Sequence, residues 1–207
     1  MRVIAGSARR LLLKTPAGMN TRPTTDRIKE TLFNMLQPQL AGKVFLDLFA
    51  GSGGIGIEAL SRGARHACFA DSSREAIACV RENLTHTKLA DRATVYAADM
   101  GAALARMRDE KRTFDIVFLD PPYGKGLEMT ALELLRRYGL LAGDATVIVE
   151  TAMEPAKGRK GRADATDDPS GDAPEDGDIA VSGVPGYRVT RVKDYKTNRH
   201  VFLTPTE

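Results

Sequence analysis

The sequence VFLDLFAGSGG at residues 44–54 carries the strongest structural signal in this chain. It starts as a continuous apolar run, which predicts a strand buried on both faces of a sheet. It ends in a turn rich in glycine, and apolar residues with helical spacing follow at positions 55–60. A strand that leads through a glycine turn into a helix is typical of doubly wound α/β folds, which bind ligands at the carboxyl edge of the sheet.

The chain that follows this turn alternates between strand and helix patterns. Further apolar runs predict strands at 66–71, 93–98, 114–120 and 145–150. Helical spacing between them predicts helices at 74–84, 101–108 and 129–138. This alternation predicts an α/β fold with a mostly parallel sheet and helices on both faces. Two last runs, at 187–195 and 200–203, predict an antiparallel C-terminal hairpin that closes the sheet.

Residues 1–40 are predicted to form an N-terminal extension, made of a basic arm and a helix. Apolar runs at 2–5 and 11–13 predict a small hairpin in the arm. The helix that follows is expected to end at Pro38, because proline removes a backbone donor and disfavours the helical conformation of the preceding residue.

The charge of this extension is uneven. Residues 1–29 contain seven basic residues and a single acidic one, Asp26. This fits contact with a phosphate backbone, but a basic face that is merely solvated fits it equally well. The block 22–27 has two interpretations. In the first, Asp26 caps its helix or pairs within it, and Arg27 and the nearby Lys29 are solvated. We favour the other, in which the block helps to close the substrate or cofactor site.

Residues 41–207 make up the predicted catalytic domain, with one interruption. Segment 155–183 begins with basic residues and continues with seven acidic ones, while Gly, Pro, Ala and Ser fill most of the rest. Its apolar surface is too small to offset the entropy of ordering, so we predict a disordered insertion.

Composition excludes several classes of protein. No apolar stretch reaches the roughly 18 residues of a membrane helix, and the first residues lack the apolar run of a signal peptide. We therefore expect a cytoplasmic monomer that does not bind membranes. The two cysteines and three histidines lack metal-ligand spacing, so no metal site is expected.

Three acidic residues end successive predicted strands at the edge where the glycine turn lies. Asp47 could accept from the cationic amino group of a methionine moiety, Asp71 from the hydroxyls of a ribose, and Asp99 from an adenine amino group. Such a set would suit S-adenosylmethionine. The dinucleotide fingerprint G-x-G-x-x-G also has a formal match, at Gly51, Gly53 and Gly56. An NAD(P) oxidoreductase is therefore a competitor at this point.

The motif Asp120-Pro121-Pro122-Tyr123 follows the fourth predicted strand and decides between these alternatives. The prolines remove two backbone donors, while the carbonyl groups and the Asp120 carboxylate remain free to accept. This acceptor-rich corner suits an exocyclic base amine, and Tyr123 can stack on a flipped base. The two motifs together predict methyl transfer from S-adenosylmethionine to a base amino group, with Asp120 able to receive the proton. Catalysis would come mainly from orientation and desolvation.

Taken together, these motifs resemble the bacterial family that methylates guanine N2 in 16S rRNA of the small ribosomal subunit. The resemblance covers nearly the whole chain. The matching blocks are MRVIAG at 1–6, RPTTDR at 22–27, DLFAGSG at 47–53, EALSRGA at 58–64 and DPPY at 120–123. The RPTTDR block is the specific part, since a glycine turn with Asp-Pro-Pro-Tyr fits many amino-methyltransferases.

The resemblance implies a Rossmann-like class I methyltransferase domain. Together with the strand-end argument, it predicts that S-adenosylmethionine is bound by Asp47, Phe49, Gly51, Gly53, Asp71 and Asp99. It implies that the guanine is held by Asp120, Pro121, Pro122 and Tyr123. The rRNA, in an assembled or assembling small subunit, would contact Arg2, Arg9, Arg10, Arg22 and Arg27.

The chain departs from the family pattern before and within the final hairpin. The insertion at 155–183 precedes it, and the turn at 196–198 lacks an expected glycine, so the geometry of the hairpin stays open. Asp71 stands where the family often has Glu. Glu150, at the end of the fifth strand, is interpreted as structural.

Four other functions share part of this pattern. A DNA adenine-N6 or cytosine-N4 methyltransferase would share the chemistry but usually needs a target-recognition domain, for which few residues are spare. A protein-amine methyltransferase would resemble Asn-Pro-Pro-Tyr. An NAD(P) oxidoreductase or a non-catalytic RNA-binding module would not require the motif at 120–123.

Overall fold

The computed structural model describes residues 1–16, 26–152 and 183–206. Five α-helices lie in the described residues: α1 Asp26–Leu40, α2 Gly54–Ser61, α3 Arg74–His86, α4 Met100–Asp109 and α5 Leu127–Arg137. The described strands are β1 Val44–Asp47, β2 His66–Asp71, β3 Ala93–Ala97, β4 Phe114–Leu119, β5 Leu141–Ala152, β6 Tyr187–Asp194 and β7 Asn198–Pro205. The order of elements from β1 onwards agrees with the predicted alternation.

The strands form one sheet in the order β3-β2-β1-β4-β5-β7-β6. The first five pair in parallel, and β7 pairs antiparallel with both β5 and β6. The predicted mostly parallel sheet with an antiparallel C-terminal hairpin is therefore confirmed. Because the parallel strands run in one direction, their carboxyl ends meet at one edge. The turn between β6 and β7 lies at this same edge, since Asn198 pairs with Ala152 at the end of β5.

Each face of the sheet is buried under its own layer of helices. Alternate residues of a strand point to opposite faces, so in β1 Phe45 joins the core under α1, α2 and α3, while Leu46 joins the core under α4 and α5. These two cores confirm that helices cover both faces.

The N-terminal arm forms a small antiparallel arrangement, as predicted. Arg2 pairs with Leu12, and backbone hydrogen bonds join Val3 N to the Leu11 carbonyl and Leu13 N to the Met1 carbonyl, each at 3.0 Å. Val3 and Leu13 are buried in the core beneath α1–α3. The arm is thereby packed against the α/β core.

The prediction that Pro38 ends the first helix is wrong. The helix α1 contains Pro38 and continues to Leu40, whose side chain is fully buried. A proline in the last turn removes only its own N–H, and burial of Leu40 keeps the following residues helical.

Two predicted features lie outside the described residues. Arg22 falls within 17–25, and nearly all of the predicted insertion falls within 153–182. In the ranges 1–16, 26–152 and 183–206, no helix has the length and apolar character needed to cross a membrane.

Candidate active site

The carboxyl edge of the parallel strands brings the predicted acidic residues together. Asp47 ends β1 and Asp71 ends β2, while Asp120 follows β4 directly. The strands β1 and β4 are neighbours in which Asp47 lies opposite Phe118, so Asp120 lies beside the turn that follows β1. The two motifs identified in the sequence therefore meet in space.

The glycine turn requires its glycines for two different reasons. Gly51 and Gly53 adopt φ values of 52° and 77°, a left-handed conformation that other residues rarely adopt. Gly56 lies in α2, where a Cβ atom would come within 2.3 Å of the Phe69 ring. This last glycine allows the helix to pack closely on the sheet, which explains the formal match to the dinucleotide fingerprint without a nicotinamide cofactor.

Asp47 is fully enclosed below this turn. Its side chain is 1% exposed, and Oδ2 accepts a hydrogen bond from Gly56 N at 2.9 Å. Burial raises the pKa of Asp47 to about 7, the negative charge of Asp71 adds to this, and the Gly56 N–H opposes it. The Asp47 side chain therefore holds the start of α2 through a hydrogen bond, and its pKa lies near neutral pH. Phe49, two residues later, is partly buried against the core beneath α4 and α5.

Asp71 links the glycine turn to the next helix. Its Oδ2 accepts from Gly51 N at 2.9 Å and its Oδ1 accepts from Ser73 N at 2.8 Å. The side chain is half-buried, and each carboxylate oxygen keeps a further lone pair for a ligand. Asp99 is exposed and caps α4, where its Oδ1 accepts from Ala102 N at 2.9 Å.

The Asp-Pro-Pro-Tyr segment combines a mostly buried acid with an exposed ring. Pro121 is buried, Pro122 is exposed, and the Tyr123 side chain is 51% exposed. Burial, together with the charges of Glu150 and Asp47, raises the pKa of Asp120 well above its usual value. Burial and the neighbouring carboxylates also raise the pKa of Tyr123, so its hydroxyl stays protonated and can donate.

A polar cluster behind Tyr123 was missed by the sequence analysis. The Tyr123 hydroxyl donates to Glu150 Oε1 at 3.4 Å, and Asn198 Nδ2 donates to the same oxygen. Glu150 Oε2 lies 2.9 Å from His200 Nε2. The position of Glu150 at a strand end was a usable signal. Nothing in the local sequence marked Asn198 or His200, which lie 48 and 50 residues further along the chain.

Of the arginines predicted to bind RNA, the four in the described residues lie on the surface of the arm and α1. Arg9, Arg10 and Arg27 are exposed. Arg2 Nε donates to Asp26 Oδ2 at 2.7 Å, so part of its charge is offset. A cavity of about 260 Å³ is lined by Arg2, Val3, Ile4, Arg9, Arg10, Asp26 and Glu30. Asp26 therefore pairs with the arm through Arg2.

Lys29 and Glu58 attach this arm to the helix that begins at the glycine turn. Lys29 is fully buried, which shows that the interpretation of Lys29 as solvated is wrong. Its Nζ lies 3.4 Å from Glu58 Oε2, while the Glu58 carboxylate also accepts from Ile4 N at 2.8 Å and Ala5 N at 3.0 Å. Burial lowers the pKa of Lys29, and the charge of Glu58 opposes this effect.

Comparison with known proteins places this arrangement among methyltransferase relatives. The model of a protein family described as Conserved hypothetical protein 95 matches residues 1–163. Over 154 residues the chain is 45% identical to YlbH of Bacillus subtilis (strain 168), a protein provisionally named as an rRNA methyltransferase, covering 74% of this chain and 84% of that one. It is 37% identical over 154 residues to ribosomal RNA small subunit methyltransferase D of Escherichia coli (strain K12), covering 74% and 76% of the two chains.

A solved structure shows the same fold. The chain superposes on yhhF of Escherichia coli, a protein provisionally described as a methyltransferase, with a TM-score of 0.74 and 31% sequence identity. The superposition covers 99% of this chain and 97% of that one.

Proposed function

This chain belongs to the family described as Conserved hypothetical protein 95, and from that premise we propose that it transfers a methyl group from S-adenosylmethionine to the exocyclic N2 amine of a guanine in small-subunit rRNA. The reaction would take place on an assembled or assembling small subunit, with one copy of the chain acting alone. The names of the relatives support an rRNA substrate.

The juxtaposition of two motifs carries this proposal. The glycine turn after β1 and the Asp120–Tyr123 segment after β4 adjoin at one edge of the sheet because their strands are paired neighbours. A ligand in the turn and a base against the Asp-Pro-Pro-Tyr corner would therefore face each other across a short gap. Direct transfer between two bound reactants needs such a geometry and no covalent enzyme intermediate.

The residues at the strand ends fit S-adenosylmethionine. Gly51 leaves open space where a side chain would stand, so a ligand can approach the turn closely. Asp71 keeps lone pairs for the ribose hydroxyls, Asp47 offers a buried carboxylate to the cationic amino group, and Asp99 lies at the end of the next strand. The cofactor, when bound, supplies a methyl group already activated on a positively charged sulfur.

The protein itself then has to hold the base and take up a proton. Asp120 and the free carbonyl groups of its prolines accept from the N2 amine, which directs the nitrogen lone pair towards the methyl group. The raised pKa of Asp120 makes its carboxylate a better proton acceptor than an ordinary aspartate. Tyr123, half exposed, is available to stack on the flipped base.

The buried carboxyl group of Asp47 makes cofactor affinity pH-dependent. Because the pKa of Asp47 is about 7 in the free protein, the group is largely neutral below that pH and must lose a proton to pair with a cation. We expect the dissociation constant of S-adenosylmethionine to rise by roughly tenfold per unit as pH falls from about 7 to 5.5. Calorimetric titration across pH 5.5–8.5 measures this dissociation constant.

The variant Asp47→Asn provides the control, since asparagine keeps an oxygen for Gly56 N but does not ionise in this range. Its affinity should be weak and nearly independent of pH. A slope equal to that of the wild type would assign the titration to another group.

The exposed arginines of the arm should provide the phosphate contacts. Replacing Arg9 and Arg10 by alanine is expected to weaken binding to 16S rRNA and to lower the salt slope of log K by about two, because each lost phosphate contact releases one counterion fewer. Filter binding between 50 and 200 mM salt measures the slope.

The matched control replaces Arg106 and Arg108, which are exposed in the last turn of α4. This helix begins at the carboxyl edge and ends near the opposite edge of the sheet, so the slope should not change. Equal slopes in both double variants would show that the arm is only a solvated face.

The proposed activity has a direct test. Small subunits from cells that lack this gene are incubated with the protein and labelled S-adenosylmethionine, and the modified nucleoside is identified by mass spectrometry. We expect N2-methylguanosine. Label in adenine or cytosine, or no label in RNA, would overturn the proposal, and label in DNA would favour the DNA amino-methyltransferase.

A further inference from the structure

The polar cluster behind Tyr123 is a connected set of hydrogen bonds that has no role in the methyl transfer proposed above. Glu150 lies near the carboxyl end of β5, and antiparallel pairing places His200 directly opposite it. One oxygen of Glu150 accepts from Asn198 and Tyr123, and the other contacts His200. His200 Nδ1 lies 3.3 Å from the Tyr195 hydroxyl. The Glu150 carboxylate is thereby held from both sides.

This carboxylate fixes the orientation of the Asn198 amide. Asn198 Nδ2 donates to Glu150 Oε1, so the carbonyl oxygen of the same amide is turned away from that atom. Asn198 is 6% exposed, and its Oδ1 is the only buried side-chain nitrogen or oxygen atom without a hydrogen-bond partner in the part of the chain that the structure describes. Buried polar atoms without a partner are uncommon in proteins, and a catalytic or ligand-binding role is one reason for them.

The Asn198 amide group lies close to Tyr123 of the proposed base-binding corner. The Asn198 amide and the Tyr123 hydroxyl meet at the same atom, Glu150 Oε1, so the amide is two hydrogen bonds from Tyr123. Glu150 is also close enough to Asp120 for its charge to affect that carboxyl group. The Tyr123 hydrogen bond is long, at 3.4 Å, and the half-exposed ring can move when a base stacks on it.

We propose that Asn198 is a specificity-determining residue, whose Oδ1 accepts a hydrogen bond from the ring N1–H of the target guanine, and that Glu150 is the positioning residue that orients it. This assignment rests on the proposed function. On guanine, N1–H adjoins the N2 amine on the Watson–Crick edge, so a base that presents its amine to Asp120 offers N1–H to a second acceptor nearby. Adenine carries a lone pair at N1, which would face the Asn198 oxygen without a proton between them.

The test compares guanine with 2-aminopurine, which keeps the exocyclic amine but carries a lone pair at N1 in place of N1–H. Small subunits are reconstituted with either base at the methylated position, and kcat/KM is measured for the wild type and for Asn198→Leu. The wild type should prefer guanine. Asn198→Leu should lower kcat/KM for guanine by about tenfold or more, in line with loss of one hydrogen bond in a buried site, and leave the value for 2-aminopurine nearly unchanged.

A second variant separates orientation from folding. Glu150→Gln can both donate and accept, so it no longer fixes the Asn198 amide, and it should reduce the preference for guanine in the same direction. Thr197→Ala, an exposed change in the adjacent turn, should keep the full preference. The dissociation constant of S-adenosylmethionine, measured by calorimetry, should stay within about twofold of the wild type in all three variants if the site is folded, since none contacts the cofactor.

The outcomes are distinct. If the wild type does not methylate guanine, the proposed function fails and the assignment of Asn198 fails with it. If the wild type is active but Asn198→Leu lowers kcat/KM equally for both bases, Asn198 is structural and only this inference is overturned.

Discussion

Replacing Asp120 by asparagine is expected to lower kcat for methyl transfer by a factor on the order of 10²–10³ while S-adenosylmethionine still binds with nearly unchanged affinity. The size is that typical of removing one preorganised electrostatic contact at a reacting centre. Asn keeps one acceptor oxygen but removes the negative charge and the site that takes up the proton. Asp120 follows β4, whereas the residues proposed to bind the cofactor lie at or after the ends of β1, β2 and β3, so cofactor binding should be spared.

Single-turnover rates with saturating cofactor isolate the chemical step, and calorimetry measures cofactor binding separately. Asp91→Asn is the matched control. Asp91 is exposed and precedes β3, at the opposite edge of the sheet, so this variant should retain the wild-type rate. Loss of cofactor binding in Asp120→Asn, in proportion to the loss of rate, would identify Asp120 as a cofactor residue instead.

Replacing Glu58 by alanine is expected to lower the free energy of unfolding by about 3–5 kcal/mol, because it leaves a charged group buried without its partner. Lys29 is fully buried beside Glu58, and Ile4 N and Ala5 N would lose their acceptor as well. In a chain of this size the melting temperature should fall by roughly 10 °C. Chemical and thermal unfolding followed by circular dichroism measure both quantities.

Two further variants define the cause of this loss. Glu82→Ala removes an exposed ion pair with Lys14 and should leave the melting temperature close to that of the wild type. The double variant Lys29→Met, Glu58→Gln removes the Lys29–Glu58 charge pair and keeps one acceptor oxygen for the arm. It leaves Arg62, which also pairs with Glu58 at 2.8 Å, without a carboxylate partner, so it should recover only part of the stability. Equal melting temperatures for Glu58→Ala and Glu82→Ala would show that the buried pair does not attach the arm.

The arm also contacts the start of α2 next to the glycine turn. Glu58 belongs to α2, which begins at the glycine turn, and the Met1 Sδ atom lies where a side chain at Gly54 would stand. The arm that carries the exposed arginines therefore packs directly on the turn proposed to bind the cofactor. The sequence did not indicate that Lys29 is buried where the arm attaches, because a lysine on a helix is usually solvated.

Within the candidate site, the sequence could predict residues whose role depends on a local motif. Gly51 and Gly53 need a positive φ, which glycine adopts freely, and Asp120 lies in a motif whose acceptors are evident from its residue types. Asn198 and His200 could not be identified in this way. Their partner Glu150 lies in another strand, and only the antiparallel register of β7 against β5 brings these side chains together.

The sequence by itself determined the alternation of strands and helices, the closing hairpin and the two motifs, because strand and helix periods and turn chemistry are properties of neighbouring residues. The tertiary structure alone decided that Pro38 lies within a helix, that Lys29 is buried against Glu58, and that the Asn198 amide of the last hairpin donates to Glu150 while its own oxygen stays buried and unpaired. Burial and pairing between distant segments produced each of these features. Such interactions depend on which surfaces meet after folding, and local sequence patterns do not record them.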